Sequence, residues 1–230
     1  TGAPVIVTYA PNGTGPDAVM HVFSGTCAAP VQVACSDNCC GGAAETVTIP
    51  TTSGANYIVR VQRYNASTAM NGTLCVYAAP PPPANDNPCT ATTLPVNATC
   101  VNTAATNANA TATSGVPDPS CANYQGGDVW FKLTVPATGA VTVTTAAGVV
   151  TDGGMALYSA PACGGVFTEI TCNDDAVGLM PQFTATGLVV GSTVYVRFWE
   201  YGNDNNGTFS ICATTFTPPA PPANDNPCNA

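Results

Sequence analysis

Apolar and polar residues alternate over short stretches along much of the chain. In 128–135, Val129, Phe131, Leu133 and Val135 fall on one side and Trp130, Lys132 and Thr134 on the other. A period of two is that of a strand with one face on a core. Further strands are predicted over 140–145, 154–159, 166–171, 181–187, 193–201 and 207–214, with weaker candidates before Cys121. Gly, Pro, Asn and Asp separate them as turn formers. No window shows the apolar period of 3.6, so helix is expected to be nearly absent. Short strands at this spacing predict an all-β chain of two tandem antiparallel β-sandwich domains, jelly-roll-like, joined by a Pro-rich linker.

The same pattern is stated twice. Residues 1–79 align with 138–217: Val5-Ile6-Val7-Thr8 with Val141-Thr142-Val143-Thr144, Met20 to Ser24 with Met155 to Ser159, and Tyr57 to Val61 with Val194 to Phe198. Ala84-Asn85-Asp86-Asn87-Pro88-Cys89 recurs as Ala223-Asn224-Asp225-Asn226-Pro227-Cys228, each time after a proline run, which marks the start of a repeat. The expected organisation is therefore a repeat at 1–79 lacking its opening part, a linker at 80–84, a complete repeat at 85–217, and a linker with the start of a further repeat at 218–230. The first repeat lacks the counterpart of 85–137, including the strand at 128–135, which predicts an open sheet edge that something must fill. The alternative is a window cut from a longer tandem array.

Composition narrows the function. Charged residues make up only 7% of the 230 residues, and the net charge is −9, which opposes nucleic acid and anionic membranes and favours cations. No apolar stretch of 18 residues is present, so membrane insertion is not expected. Twelve cysteines without paired CxxC motifs, beside the single histidine His21, predict disulfides formed outside the cytosol. With no second histidine and no recurring acidic pair, the chain is not expected to be an enzyme.

The ordered phrases Asn85-Asp86-Asn87-Pro88-Cys89, Asp128-Val129-Trp130-Phe131, Leu157-Tyr158-Ser159, Cys172-Asn173-Asp174-Asp175, Val194-Tyr195-Val196-Arg197 and Gly207-Thr208-Phe209 resemble pre-peptidase C-terminal (PPC) domains. The closest texture is that of the cysteine-rich versions in secreted surface proteins of the Bacteroidota. The resemblance covers the second repeat and, without its opening part, the first. It implies a calcium-associated β-sandwich serving as spacer, adhesion or targeting module. It also places a shared calcium ion on Asn85, Asp86 and Asp128, with Asn224 and Asp225 restarting that site in the next repeat. A second oxygen-rich cluster, Asp152 with Asn173, Asp174 and Asp175, has its counterpart in Asp17 and Asp37. Such turns serve equally as Asx caps.

Spacing leaves disulfide connectivity open. The expected local bridges are Cys27–Cys35, Cys163–Cys172 and Cys100–Cys121, with Cys89–Cys212 tying the ends of the second domain. Cys75 and Cys228 are then left over, and an intersubunit Cys75–Cys228 bond would join copies head to tail. Cys39 and Cys40 are adjacent, bonded to each other or elsewhere. Tyr195, Arg197, Trp199 and Tyr201 alternate along one strand and are expected to pack under a loop or at an interface rather than to bind sugar. The expected function is a calcium-stabilised structural subunit of an extracellular filament whose partners are copies of itself. The alternative is an adhesion or glycan-binding module of a long surface protein or secreted enzyme. Six Asn-X-Ser/Thr sequons, starting at Asn12, Asn65, Asn71, Asn97, Asn109 and Asn206, offer glycan acceptors.

Overall fold

A computed structural model describes residues 2–13, 17–39, 41–64, 69–217 and 219. The chain divides into two compact units, Thr1–Pro80 and Pro81–Ala230. Unit 1 contains β1 (Gly2–Pro11), β2 (Ala18–Thr26), β3 (Ala29–Ser36), β4 (Glu45–Thr51), β5 (Tyr57–Arg63) and β6 (Gly72–Ala78). Unit 2 begins with a single 3-10 turn (Pro88–Thr90), then β7 (Thr92–Thr93), β8 (Val96–Asn97) and β9 (Thr103–Thr106). It continues with β10 (Val129–Thr134), β11 (Val141–Ala147), β12 (Gly153–Ser159), β13 (Thr168–Asn173), β14 (Gln182–Ala185), β15 (Thr193–Glu200) and β16 (Thr208–Thr215). The all-β expectation holds, and each strand predicted beyond residue 127 is present to within a few residues.

In unit 2 the sheets run β13-β12-β15-β10-β7 and β14-β11-β16-β8, with β9 also pairing to β16. The long strands pair antiparallel, but the short β7 and β8 join β10 and β16 in parallel. Alternation explains the packing. Val141, Val143 and Thr145 of β11 are buried, while Thr142 faces outward and its hydroxyl meets that of Thr184 across the β11–β14 pair at 2.8 Å. Between the sheets, Val129, Phe131, Leu133, Val194, Val196 and Phe198 join one core, in which Phe198 stacks on Phe209 at 3.8 Å between ring centroids. Each such side chain stabilises the fold by about 1.5–3 kcal/mol relative to exposure.

Strand β15 is buried on both faces. Its outward residues Tyr195 and Trp199 form a second cluster with Trp130, Tyr158 and Phe167, roofed by Val116, Cys121, Ala122 and Tyr124 from the loop before β10. Gly154 sits opposite Trp199 in the β12–β15 ladder, and a Cβ there would come within 2.3 Å of the indole. The glycine is what lets this bulky side chain lie flat on the sheet.

Unit 1 repeats the same framework with fewer strands, β4-β1-β6 and β3-β2-β5. The ladders superimpose position for position. Val7 faces Val76 as Val143 faces Ala213, and His21 faces Arg60 as Ala156 faces Arg197. In unit 2, β15 is followed in its sheet by β10, and β16 by β8 and β9; β5 and β6, their counterparts, are edges. A small core of Val7, Tyr9, Met20, Val22 and Ile49 remains buried. Along β6, however, every residue is exposed: Val76 is 58% exposed where its counterpart Ala213 is 1%.

Candidate functional site

The opening segment 85–127 of unit 2 is held by one buried carboxylate. Asp128 Oδ2 accepts bonds from Arg197 Nε (3.0 Å), Trp130 Nε1 (2.9 Å) and Thr113 Oγ1 (2.6 Å); its Oδ1 accepts from the Thr113 amide (3.0 Å) and the Tyr124 hydroxyl (2.7 Å). Arg197 and Asp128 are both fully buried. The guanidinium also donates to Pro117 O and to the Tyr124 hydroxyl, and lies over the Tyr124 and Trp130 rings. Burial works against the Arg197 charge, but Asp128 beside it holds the pKa above its usual value. Burial, with the bond to Asp128, pushes the Tyr124 hydroxyl far up, and burial raises Tyr158 to about 12.

The predicted calcium trio is brought together, but around protein donors. Asn85 donates its side-chain amide to Trp130 O, and Asp86 accepts from the amide and hydroxyl of Thr111. The five donors on Asp128 fill the roughly four lone-pair sites of a carboxylate. In this arrangement Asp128 has no lone pair left over, and Asp86 and Asp128 pin the Thr111–Thr113 stretch. Asn224 and Asp225 lie outside the described residues.

The second acidic cluster is looser. Asn173 Oδ1 accepts from the Gln182 amide, linking β13 to β14, and Asp174 Oδ1 caps the Asp175 amide. Partial burial first, then the charges of Asp175, Asp174 and Asp204, raise the Asp152 pKa. Its counterpart region in unit 1 is built differently. There Ser36 and the Asn38 amide donate to the fully buried Glu45, while one oxygen of Asp17 is buried without a partner. Among the described residues no three His, Cys, Asp or Glu side chains gather closely enough to hold a metal ion.

Three disulfides fasten the opening segment: Cys89–Cys163, Cys100–Cys212 and Cys121–Cys172. They replace the expected Cys163–Cys172, Cys100–Cys121 and Cys89–Cys212 bonds. The reason is hairpin length. Cys172 faces Ala156 while Cys163 lies in the loop beyond Ser159, about 10 Å or more along the ladder, whereas a disulfide needs Cα atoms about 4.4–6.8 Å apart. Cys100 sits between β8 and β9, which pair with Ala213–Thr214 and Thr208–Ile211 along the edge of β16 opposite β11, so Cys212 is its neighbour. The expected Cys27–Cys35 bond is overturned on the same ground. Cys35 faces His21 and Cys27 lies in the turn after Thr26, roughly 20 Å away. Cys27, Cys35 and Cys75 are free and exposed. Cys39 is disulfide-bonded; Cys40 and Cys228 lie outside the described residues.

Tyr195, Arg197 and Trp199 are buried under the loop as expected, while Tyr201 is exposed. His21 Nδ1 donates to Gln32 Oε1 at 3.0 Å, and the ring stands near Phe23. The Asp128–Arg197 pair was not anticipated. Its signal lies in the charge count: Arg197 and Lys132 are the only cations of unit 2, and Arg197 stands among aromatics on a central strand.

A T9SS-associated family model, described as galactose binding domain-like, matches residues 84–211. The chain belongs to this family. A T9SS-associated galactose binding domain-like chain is part of a secreted or surface protein, the localisation that the sequence resemblance implied. Among solved structures, the pre-peptidase C-terminal domain of a collagenase from Bacillus anthracis is 11% identical, over 54% of this chain and 93% of that one, with a TM-score of 0.31. The VP2 subviral particle of infectious bursal disease virus is 12% identical over 91% of this chain and 54% of that one, with a TM-score of 0.22. No curated protein matches significantly. Among the described residues no helix is long and apolar enough to cross a membrane.

Proposed function

We propose that this galactose binding domain-like chain is a structural subunit of an extracellular filament or surface fibre, non-catalytic, assembling head to tail with copies of itself. One observation carries this: β5 and β6 end their sheets where β15 carries β10 and β16 carries β8 and β9. Unpaired edges beside an exposed apolar strand are the template for strand addition from another chain. A head-to-tail contact uses two different surfaces, so it propagates into a fibre unless the rotation closes.

Calcium is proposed to stabilise the fibre at the Asp152 end of the sandwich. Asp152, Asp174, Asp175 and Asp204 do not gather closely enough as they stand to hold the ion; binding would draw these hard oxygen ligands together and relieve their mutual repulsion. The burial of Tyr195, Arg197 and Trp199 removes the aromatic face that a glycan would stack on.

Electron microscopy of native material tests the assembly. A fibre repeating at a two-domain spacing is expected, and single chains alone would overturn the proposal.

A further inference from the structure

Three Asn-Gly dipeptides occur in the chain, at Asn12-Gly13, Asn71-Gly72 and Asn206-Gly207. Such a pair can react with itself. The glycine nitrogen loses its proton and attacks the side-chain carbonyl carbon of the asparagine, ammonia leaves, and water opens the resulting cyclic imide to aspartate or isoaspartate. Glycine permits the ring closure because it has no Cβ to obstruct it and leaves the backbone free to turn. In a folded chain the outcome depends on what holds the nitrogen and the side-chain amide.

Just before β16 both are held. Gly207 N donates to Asn107 Oδ1 at 2.9 Å, and the side-chain amide of Asn107 donates to Asn206 Oδ1. Asn206 Nδ2 donates in turn to Asn203 Oδ1 at 2.6 Å. Asn107 is fully buried, and its own backbone amide donates to Gly207 O. Closing the imide here would break these bonds and leave the buried groups of Asn107 unpaired, which is costly.

The same Asn-Gly-Thr triplet opens β6 without that clamp. Asn71 is exposed, and among the described residues no hydrogen bond holds its side chain. In the β1–β6 ladder Asn12 N donates to Asn71 O at 2.8 Å and Ala79 N to Pro4 O at 2.9 Å. Alternation along an antiparallel pair then makes Pro11 and Gly72 a non-hydrogen-bonded pair. The Gly72 N–H therefore points away from β1, to the side on which β6 has no neighbouring strand. The bond from Asn12 falls on the oxygen of the peptide group whose nitrogen attacks, and it stabilises the negative charge that this group carries once the nitrogen has lost its proton. Asn12-Gly13 is exposed as well, but no backbone N–H of the described residues meets Asn12 O. Glycine is also required at 72 for packing: a Cβ there would come within 2.3 Å of the Tyr9 ring and 2.6 Å of Ala10 O.

We infer that Asn71-Gly72 is a self-modification site, converting through the cyclic imide to aspartate or isoaspartate, while Asn107 keeps Asn206 as asparagine. The product sets a carboxylate beside the first residue of β6, and the isoaspartate form also reroutes the main chain through the side-chain carbon. A charge on an open edge opposes pairing with a further strand, so the β6 edge becomes less receptive as the protein ages. The reaction needs no second copy of the chain and no reagent but water.

The full chain, incubated in oxygen-18 water at neutral and mildly alkaline pH, would be mapped by peptide mass spectrometry with fragmentation that separates aspartate from isoaspartate. Labelled acid is expected at Asn71, with isoaspartate among the products and a rate that rises with pH, while Asn206 stays unchanged. Both sites share one triplet, so in urea their difference should vanish. An intact Asn71 in the folded chain, conversion confined to Asn12, equal rates at Asn71 and Asn206 under native conditions, or a difference that persists in urea would each overturn the assignment.

Discussion

Asp128 shows how one side chain can bind a segment to a sheet. It lies at the start of β10, yet its donors come from Thr113, Tyr124, Trp130 and Arg197. Asp128→Asn would leave the Arg197 charge buried without its counterion, and a loss of about 3–5 kcal/mol is expected in urea unfolding of unit 2. Asp152 has the opposite character. Its carboxyl binds its proton more tightly in the folded state because of partial burial and the charges of Asp175, Asp174 and Asp204. The native chain therefore holds more protons than the unfolded one, so this contribution falls as pH rises from about 4 through the raised native pKa. Without calcium, Asp152→Asn should raise the unfolding midpoint at pH 7 and flatten this slope. Calcium should raise the wild-type midpoint at pH 7 more than at pH 4, and the variant should respond less.

At the level of strands, β6 and β16 share a sequence pattern but not an environment. Ile211 of β16 is fully buried beneath neighbouring strands, while its counterpart Leu74 in β6 is 48% exposed. Hydrogen exchange of the isolated chain should show β16 amides protected far longer than those of β6, with protection of β6 rising on assembly; equal rates would contradict the open edge. Breaking Cys100–Cys212 by a double serine variant should lower stability by about 2–4 kcal/mol and speed exchange in β8 and β9. The strands themselves were legible in the sequence because alternation such as Val141-Thr142-Val143-Thr144 reports directly on which face is buried. Their neighbours were less so. Cys100 pairs with Cys212 only because β8 and β9 enter the sheet on either side of it, and no spacing rule encodes that entry. The resemblance placed Asp128 as a cation ligand; the arginine that pairs with it lies 69 residues away, beyond the reach of any local motif.

For the whole molecule, internal duplication was the most informative property. It aligned unit 1 with residues 138–217 from sequence alone, and the unit 2 ladders then showed which edges, which cysteines and which arginine of unit 1 stand without the partners that their counterparts have. The crosslink pattern also bears on how such a chain would carry tension. Cys100–Cys212 joins a point near the beginning of unit 2 to its last strand, so a pull along the chain is shunted across one sulfur bridge. Within 85–217, only about twenty residues outside that bridge are free to pay out, roughly 70 Å at full extension rather than several hundred. Unit 2 would thus be nearly inextensible while oxidised and would lengthen severalfold under load once reduced.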